Sequence, residues 1–364
     1  MHDGADLNGQ IAALLRDLAA VQANERSGWG YKRAANAILE LDRPIETLLQ
    51  LDATLEKIPN VGPKSEAVIL EFLEHGRSPT VEAAIAQGGK TSDITRRRGL
   101  RSHFLSRSQV VEALANESLI GPTLSDYKGD LQMHSTWSDG GQSLDDIAEA
   151  AIARGYEFCA LTDHSYGLPI ANGLTMERLA KQHRAIDRLN KKYRGRFRLL
   201  KGIEANIRKD GSVDMTPEEL QQVEFLLAAP HSALRIEADQ TVRMITAVRT
   251  PGVHVLGHPR GRMYGSRPGV QAKWDEVFAA AADAGVAVEI DGDPSRQDLD
   301  YTLARRALAA GCLFALDSDA HGVDELEAAE TAIAHARLAG IPADRIINCW
   351  PLAQLLEWLD AKQM

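Results

Sequence analysis

The sequence predicts an α/β protein in two parts: a small all-α region at the amino terminus, then a larger region of repeated βα units carrying seven strands. Three observations lead there. Apolar residues recur at helical spacing through the first 88 residues, with no strand alternation. From residue 128 short apolar runs alternate with helical stretches, the signature of βα units around a parallel sheet. At 364 residues and 44% hydrophobic composition, the chain has room for two domains with their own cores.

The elements follow in order. Ile11, Leu14, Leu15, Leu18 and Val21 make one helical stripe, and Ala34, Ala37, Ile38 and Leu41 a second. Gln87-Gly88-Gly89 breaks the helical pattern, and the basic run from Arg96 to Arg107 follows. The expected organisation is a helical domain over 1–88, a basic linker over 89–127 and a second domain over 128–364. Strands are expected at Asp130–Met133, Phe158–Thr162, Phe197–Ile203, Phe225–Ala229, Val253–Leu256, Ala287–Ile290 and Leu313–Leu316.

Net charge is −10, unevenly placed. Residues 1–107 hold 14 Lys/Arg and 14 Asp/Glu, so the whole acidic excess lies in 108–364, where bound cations could offset part of it. Cys159, Cys312 and Cys349 are odd in number and scattered among apolar neighbours, which reads as reduced core residues rather than bridges or ligands. No run approaches the roughly 20 apolar residues of a membrane span, and the opening Met1-His2-Asp3-Gly4 lacks a secretory pattern. A cytoplasmic location and no membrane partner are expected.

The residues that end the expected strands carry the chemistry. They are His134, Asp163-His164, Glu204, His231, His258 and Asp319-Ala320-His321; the sixth end, Asp291-Gly292-Asp293, offers carboxylates without a histidine, as the third offers Glu204. In a βα barrel these ends converge on one mouth. Five of the chain's eleven histidines at five strand ends, with carboxylates beside them, point to a metal site. Imidazoles mixed with carboxylates suit Zn²⁺, Mn²⁺ or Fe²⁺ better than Mg²⁺ or Ca²⁺. His254 lies within a strand and reads as structural; His2, His75, His103, His183 and His335 have no placement favouring chemistry.

Over about 128–345 these residues resemble the PHP (polymerase and histidinol phosphatase) phosphoesterases, whose fold is a distorted seven-stranded βα barrel with a trinuclear metal site. The motifs stand as Gln132-Met133-His134 with Asp139, Thr162-Asp163-His164-Ser165, Gly202-Ile203-Glu204, His231-Ser232, Gly257-His258-Pro259 and Asp317-Ser318-Asp319-Ala320-His321. The resemblance implies eight ligands, namely His134, Asp139, His164, Glu204, His231, His258, Asp319 and His321, holding two or three divalent ions, Mn²⁺ or Zn²⁺ with Fe²⁺ as a further choice. Gln132 departs from the family's histidine, so it is expected as a weak ligand or as a hydrogen bonder behind the metals. Catalytic roles fall to Glu204 as a bridging carboxylate, to Asp163 orienting His164, and to Arg260 and Arg262, whose guanidinium groups follow His258 and could grip a phosphate. Asp317 could orient Asp319 in the same way.

Leu55 to Ile69, with Pro59-Asn60-Val61-Gly62-Pro63-Lys64, resembles a helix-hairpin-helix, whose turn presents backbone N–H groups to a DNA phosphate. Asn60 stands for the usual first glycine, and Asn tolerates a left-handed backbone. Together with Trp29-Gly30-Tyr31-Lys32-Arg33 and Glu71-Phe72-Leu73-Glu74-His75-Gly76, it resembles the small DNA-binding domain of family X DNA polymerases; bacterial members carry a PHP domain at the carboxyl end. The palm between the two is missing here. Val68 stands where lyase-active members carry a Schiff-base lysine, so no lyase chemistry is expected. Asn60, Gly62 and Lys64, with Arg96, Arg97, Arg98 and Arg101, are the candidate DNA contacts, the arginines adding a salt-dependent phosphate term.

Three functions remain open at this point. A metal-dependent phosphodiesterase acting on DNA in repair, as a 3′→5′ exonuclease or abasic-site endonuclease using metal-activated hydroxide, leads by resemblance. A small-molecule phosphomonoesterase of the histidinol-phosphatase type and a catalytically weakened DNA-binding repair accessory are the alternatives.

Overall fold

The computed structural model describes residues 6–363; Met1–Ala5, including His2, and Met364 lie outside it. The chain divides into two compact units, one of Met1–Asn116 with the short turn Tyr264–Ser266, the other of Glu117–Met263 with Arg267–Met364.

The first unit holds six helices: α1 (Leu7–Val21), α2 (Glu25–Leu39), α3 (Pro63–His75), α4 (Pro79–Gly88), α5 (Thr91–Gly99) and α6 (Arg107–Ala115). Capping sets their starts: Asp6, Asn24, Ser78 and Ser106 each accept a backbone N–H of the first turn. The predicted stripes meet in one core of Ile11, Leu15, Leu18, Ala34, Ile38 and Ile69. Before α3 the chain turns through Asn60, at φ 66°, which confirms the left-handed position expected there. Residues 89–127, expected as a basic linker, contain the helices α5 and α6. Two of the linker arginines pair with the buried Asp17, the exposed Arg98 at 2.6 Å and the buried Arg101 through the other carboxylate oxygen.

The second unit is a curled parallel sheet in the order β1-β2-β3-β4-β5-β6, with helices between the strands. Its order is α7 (Leu144–Ala153), β1 (Phe158–Leu161), α8 (Met176–Lys192), β2 (Arg198–Asn206), α9 (Pro217–Leu220) and β3 (Phe225–Ala229). There follow α10 (Thr241–Val248), β4 (Val255–Leu256), α11 (Trp274–Ala284), β5 (Ala287–Asp291), α12 (Tyr301–Ala309), β6 (Leu313–Asp317), α13 (Ala329–Ala339) and α14 (Leu352–Gln363). Leu131, Leu200, Leu227, Val255, Ala287 and Ala315 fill one core of this unit, and Met133, Ile147, Leu161, Ile186 and Leu199 another.

Six strands form rather than seven. Asp130–Met133 runs beside both β1 and β6, with Ala160 N–H donating to Asp130 O (2.9 Å) and His134 N–H to Ala320 O (2.8 Å). Its own amides, however, donate to side chains: Leu131 to Asp317 Oδ1, Gln132 to Asp130 Oδ1 and Met133 to Thr162 Oγ1. With its donors taken by side chains the segment makes one isolated bridge, Met133 to Ala320, and no ladder.

Candidate metal centre

Parallel pairing places the carboxyl ends of β1 to β6 at one end of the sheet, and the predicted ligands gather there. His164 and His231 follow β1 and β3, His258 follows β4, and Asp319 and His321 follow β6. Glu204 is not past its strand but inside β2, paired with Leu227 of β3, which fixes its carboxylate more firmly than a loop would. Asp139 is returned to the site by a tight turn in which Ser138 and Gly140 both donate to Ser135 O at 3.0 Å. A Cβ at Gly140 would lie 2.4 Å from the His134 carbonyl carbon, so that turn requires glycine. Two ligand residues have positive φ, Asp319 at 53° and His258 at 21°, a strained backbone of the kind that concentrates at functional sites.

Glu204 is the centre. Its Oε1 lies 3.0 Å from His231 Nε2 and 3.0 Å from His258 Nε2, and its Oε2 lies 3.3 Å from both His134 Nε2 and His164 Nδ1. Asp319 Oδ1 is 3.1 Å from His134 Nε2, and Asp139 sits 3.6 Å from both His164 Nε2 and His321 Nε2. Among the described residues three groups have donor atoms close enough for one ion each: His134/Asp139/His164/His321, His164/Glu204/His231 and His134/Glu204/Asp319. The groups share His134, His164 and Glu204, so they form one polynuclear constellation. His134 stacks on His164 and His321, with ring centroids 4.5 and 4.3 Å away.

The electrostatics reflect this crowding. Burial works to raise Glu204, but the surrounding imidazoles, His164 and His231 foremost, outweigh it and hold the carboxylate well below its usual range. Burial pushes His164 down to about 4, the neutral form a metal requires. Asp139 is held at about 2, because its hydrogen bond to His321 and the charges of the nearby histidines overcome desolvation. The buried Nδ1 atoms of His134, His164 and His258 have no hydrogen-bond partner. A buried ring nitrogen without a partner is costly, and a cation would satisfy it. Donor chemistry and unpaired nitrogens therefore fit divalent ions of the Zn²⁺, Mn²⁺ and Fe²⁺ type.

Other expectations change. Asp163 does not turn toward His164. It accepts from Ser135 N (2.8 Å), Ser135 Oγ (2.6 Å), Ser138 Oγ and Gln182 Nε2 (2.6 Å), holding the loop that carries His134 and Asp139. Asp317 accepts from Leu131 N and Asn348 Nδ2 at 2.8 Å each, tying the 130–133 segment to β6. Arg262 is 3% exposed and spends its donors on Arg296 O (2.9 Å) and Gln297 O (2.7 Å) and on Asp300, so it is no phosphate clamp. Arg260 likewise faces Asp300 at 3.2 Å.

The cation at the mouth is instead Arg296, whose Nη1 lies 2.9 Å from Asp319 Oδ2 and 3.9 Å from Asp291 Oδ2. Sequence reasoning missed it, although it follows Asp291-Gly292-Asp293, a strand end that lacks a histidine. Gln132 is fully buried and its amide faces Glu289, with the nitrogen 2.9 Å from Oε2 in the orientation that lets it donate. Glu289 Oε2 also accepts His258 N–H at 2.5 Å. Gln132 thus reaches the site through Glu289 and the backbone of a ligand. His254 is structural as expected, accepting Leu226 N–H at Nδ1 (3.0 Å).

In the helical unit Gly62 caps α3 with no side-chain hydrogen bond, and Pro63 opens the helix. Lys64 is exposed beside it. Val68 is buried in the core, which leaves that position without an exposed amine. Arg96 and Arg97 pair with Asp93 at 2.7 Å yet remain largely exposed, whereas Arg101 is buried and donates to Ala13 O and Asp17.

Comparison with known proteins agrees with this division. A helix-hairpin-helix domain family model matches residues 6–78. The chain is 35% identical over 238 residues to a protein named DNA polymerase/3′-5′ exonuclease PolX of Bacillus subtilis, the match taking 65% of this chain and 41% of that one. It is 28% identical over 245 residues to a probable phosphatase of Shewanella oneidensis, covering 64% of this chain and 91% of the relative. A histidinol phosphate phosphatase of Lactococcus lactis, solved with zinc, L-histidinol and phosphate, aligns with a TM-score of 0.45 and 18% identity over 57% of this chain and 92% of its own. Fold, ligand groups and relatives define the class: a metal-dependent phosphoesterase domain. Residues 6–78 match a helix-hairpin-helix domain, and the chain is similar to a 3′-5′ exonuclease-bearing polymerase, 41% of whose length it spans, and to probable phosphatases, as the PHP resemblance of the sequence implied.

Proposed function

We propose that the chain is a phosphodiesterase acting on DNA, with 3′→5′ exonuclease or abasic-site endonuclease cleavage in repair as its reaction and two or three divalent ions, Mn²⁺ or Zn²⁺, as cofactor. The observation that carries the reading is the set of three ligand groups joined through His134, His164 and Glu204. Bound divalent ions supply an activated water at neutral pH and stabilise charge on the phosphoryl oxygens. The chain's own residues do the rest. Glu204 presents one oxygen to His231 and His258 and the other to His134 and His164, so a single carboxylate serves two neighbouring positions. Asp163 fixes the loop bearing His134 and Asp139. Arg296, held by Asp319, offers the planar donor fork that suits a phosphoryl oxygen.

DNA as substrate is supported by the helix-hairpin-helix match and by the name of the Bacillus relative. The exposed Lys64 beside Gly62, with the left-handed Asn60, suits contact with a backbone phosphate. A second reading, a phosphomonoesterase, is favoured by one observation: relatives matched over nearly their whole length are named probable phosphatases. Steady-state kinetics with Mn²⁺ decides between them, comparing kcat/KM on single-stranded or nicked DNA with that on histidinol phosphate and p-nitrophenyl phosphate. The proposal expects the DNA value to exceed both by a factor of about 100 or more. Turnover of the monoesters with none of DNA rejects it.

A further inference from the structure

We infer that the helical unit carries a second phosphate-binding site apart from the hairpin: a cavity of about 450 Å³ lined by Arg16, Lys32, Lys90, Arg97 and Arg101 and, among the described residues, by no carboxylate. The inference rests on the DNA reading above, and takes a DNA phosphate or a free nucleotide as the ligand chemistry. Four helices or their ends bring the cations together, α1 giving Arg16, α2 Lys32, the α4–α5 junction Lys90, and α5 with the turn after it Arg97 and Arg101. Over residues 1–107 acids and bases balance, so this concentration is local.

The nearest carboxylates do not neutralise it. Asp17 is buried and already bound by Arg98 and Arg101, and Asp93 by Arg96 and Arg97. Among the described residues seven cations thus share two carboxylates, an arrangement that favours an entering anion. Arg16 gives an independent sign. It hydrogen-bonds Asn36 and lies over the Tyr264 ring, 5.4 Å from its centroid, yet among the described residues its Nε has no partner. The volume lies in the range of small-ligand sites, roughly 300 to 1,000 Å³. Gln22 and Asn24 add amides that suit the polar parts of a nucleotide.

The test is equilibrium binding of a labelled single-stranded oligonucleotide to the full chain in EDTA, so that no cleavage is required, across a salt series. The double variant Lys32→Ala/Lys90→Ala is compared with the parent. Thermal melting confirms that each is folded. The inference expects Kd to rise about tenfold and the slope of log Kd against log salt to shrink by about 1.4, the share of two phosphates on a single strand. Competition by dAMP separates the sources: displacement from the parent but not the variant assigns a free nucleotide, and no displacement from the parent assigns a strand phosphate. Kd within twofold of the parent with an unchanged slope overturns the site. Because cleavage is never read, a protein that binds this way yet hydrolyses no DNA would refute the nuclease proposal and leave the cavity standing.

Discussion

Replacing Gln132 tests what the departure from the family's histidine does. Its amide is fully buried and faces Glu289, which also receives His258 N–H at 2.5 Å. Burial, then Asp317 and Asp291, raises the Glu289 carboxyl well above the usual range. Losing the hydrogen bond to it inside a core costs about 1 to 2 kcal/mol, and truncation to alanine adds a cavity term of about 1 kcal/mol. Gln132→Ala should therefore lose about 2 to 3 kcal/mol, and Gln132→Met, which keeps the volume, about 1 kcal/mol less. At roughly 2 to 4 °C per kcal/mol for a unit of this size, the alanine variant melts about 4 to 12 °C lower. Metal content, read by mass spectrometry after gel filtration in Mn²⁺, should equal the parent's, because the amide serves Glu289. An unchanged melting point with metal lost would refute the reasoning and make Gln132 a ligand.

Other predictions follow from the same geometry. Glu204→Gln removes the charge that two of the three ligand groups share, so bound metal should fall to about one ion and kcat by a factor of about 1,000 or more, read by metal analysis and Mn²⁺-dependent turnover. Arg262→Met should destabilise the fold by about 3 kcal/mol in denaturant melts, since it takes one of two guanidinium groups from the buried Asp300 and the donor from the Arg296 and Gln297 carbonyls. Arg296→Met should instead raise KM for a phosphodiester about tenfold. Burial holds His254 down at about 4, below its unfolded value of about 6.5, so the unfolded chain takes up the proton first. That part of the stability is complete above the unfolded value and is lost as pH falls toward 4, by at most about 3 kcal/mol, a slope that His254→Gln should flatten in melts between pH 4 and 7.

The ligand histidines were legible because each follows a short apolar run, and a strand end is a local signal. The turn at Asn60 was legible for the same reason, since left-handed backbone selects few residues. What could not be read locally was pairing across the chain. Asp130–Met133 has a strand's composition, but its amides are claimed by Asp317 and Thr162 as well as by Asp130, and no window around residue 131 contains the first two. The linker arginines look solvated until Asp17, more than eighty residues earlier, is set beside Arg98 and Arg101. Arg262 stands next to the His258 motif yet folds away toward 296–300, while Arg296, outside every motif, reaches Asp319. Adjacency in sequence does not say which guanidinium reaches the ligand carboxylates.

The central claim, that this constellation hydrolyses DNA, is tested most directly by a Mn²⁺-supplemented nuclease assay on end-labelled DNA, comparing the parent with Glu204→Ala and His321→Ala. The account predicts cleavage by the parent, abolished by EDTA and reduced about 100-fold or more in both variants. Variants that cleave as well as the parent, or a parent that leaves the DNA intact, would contradict it.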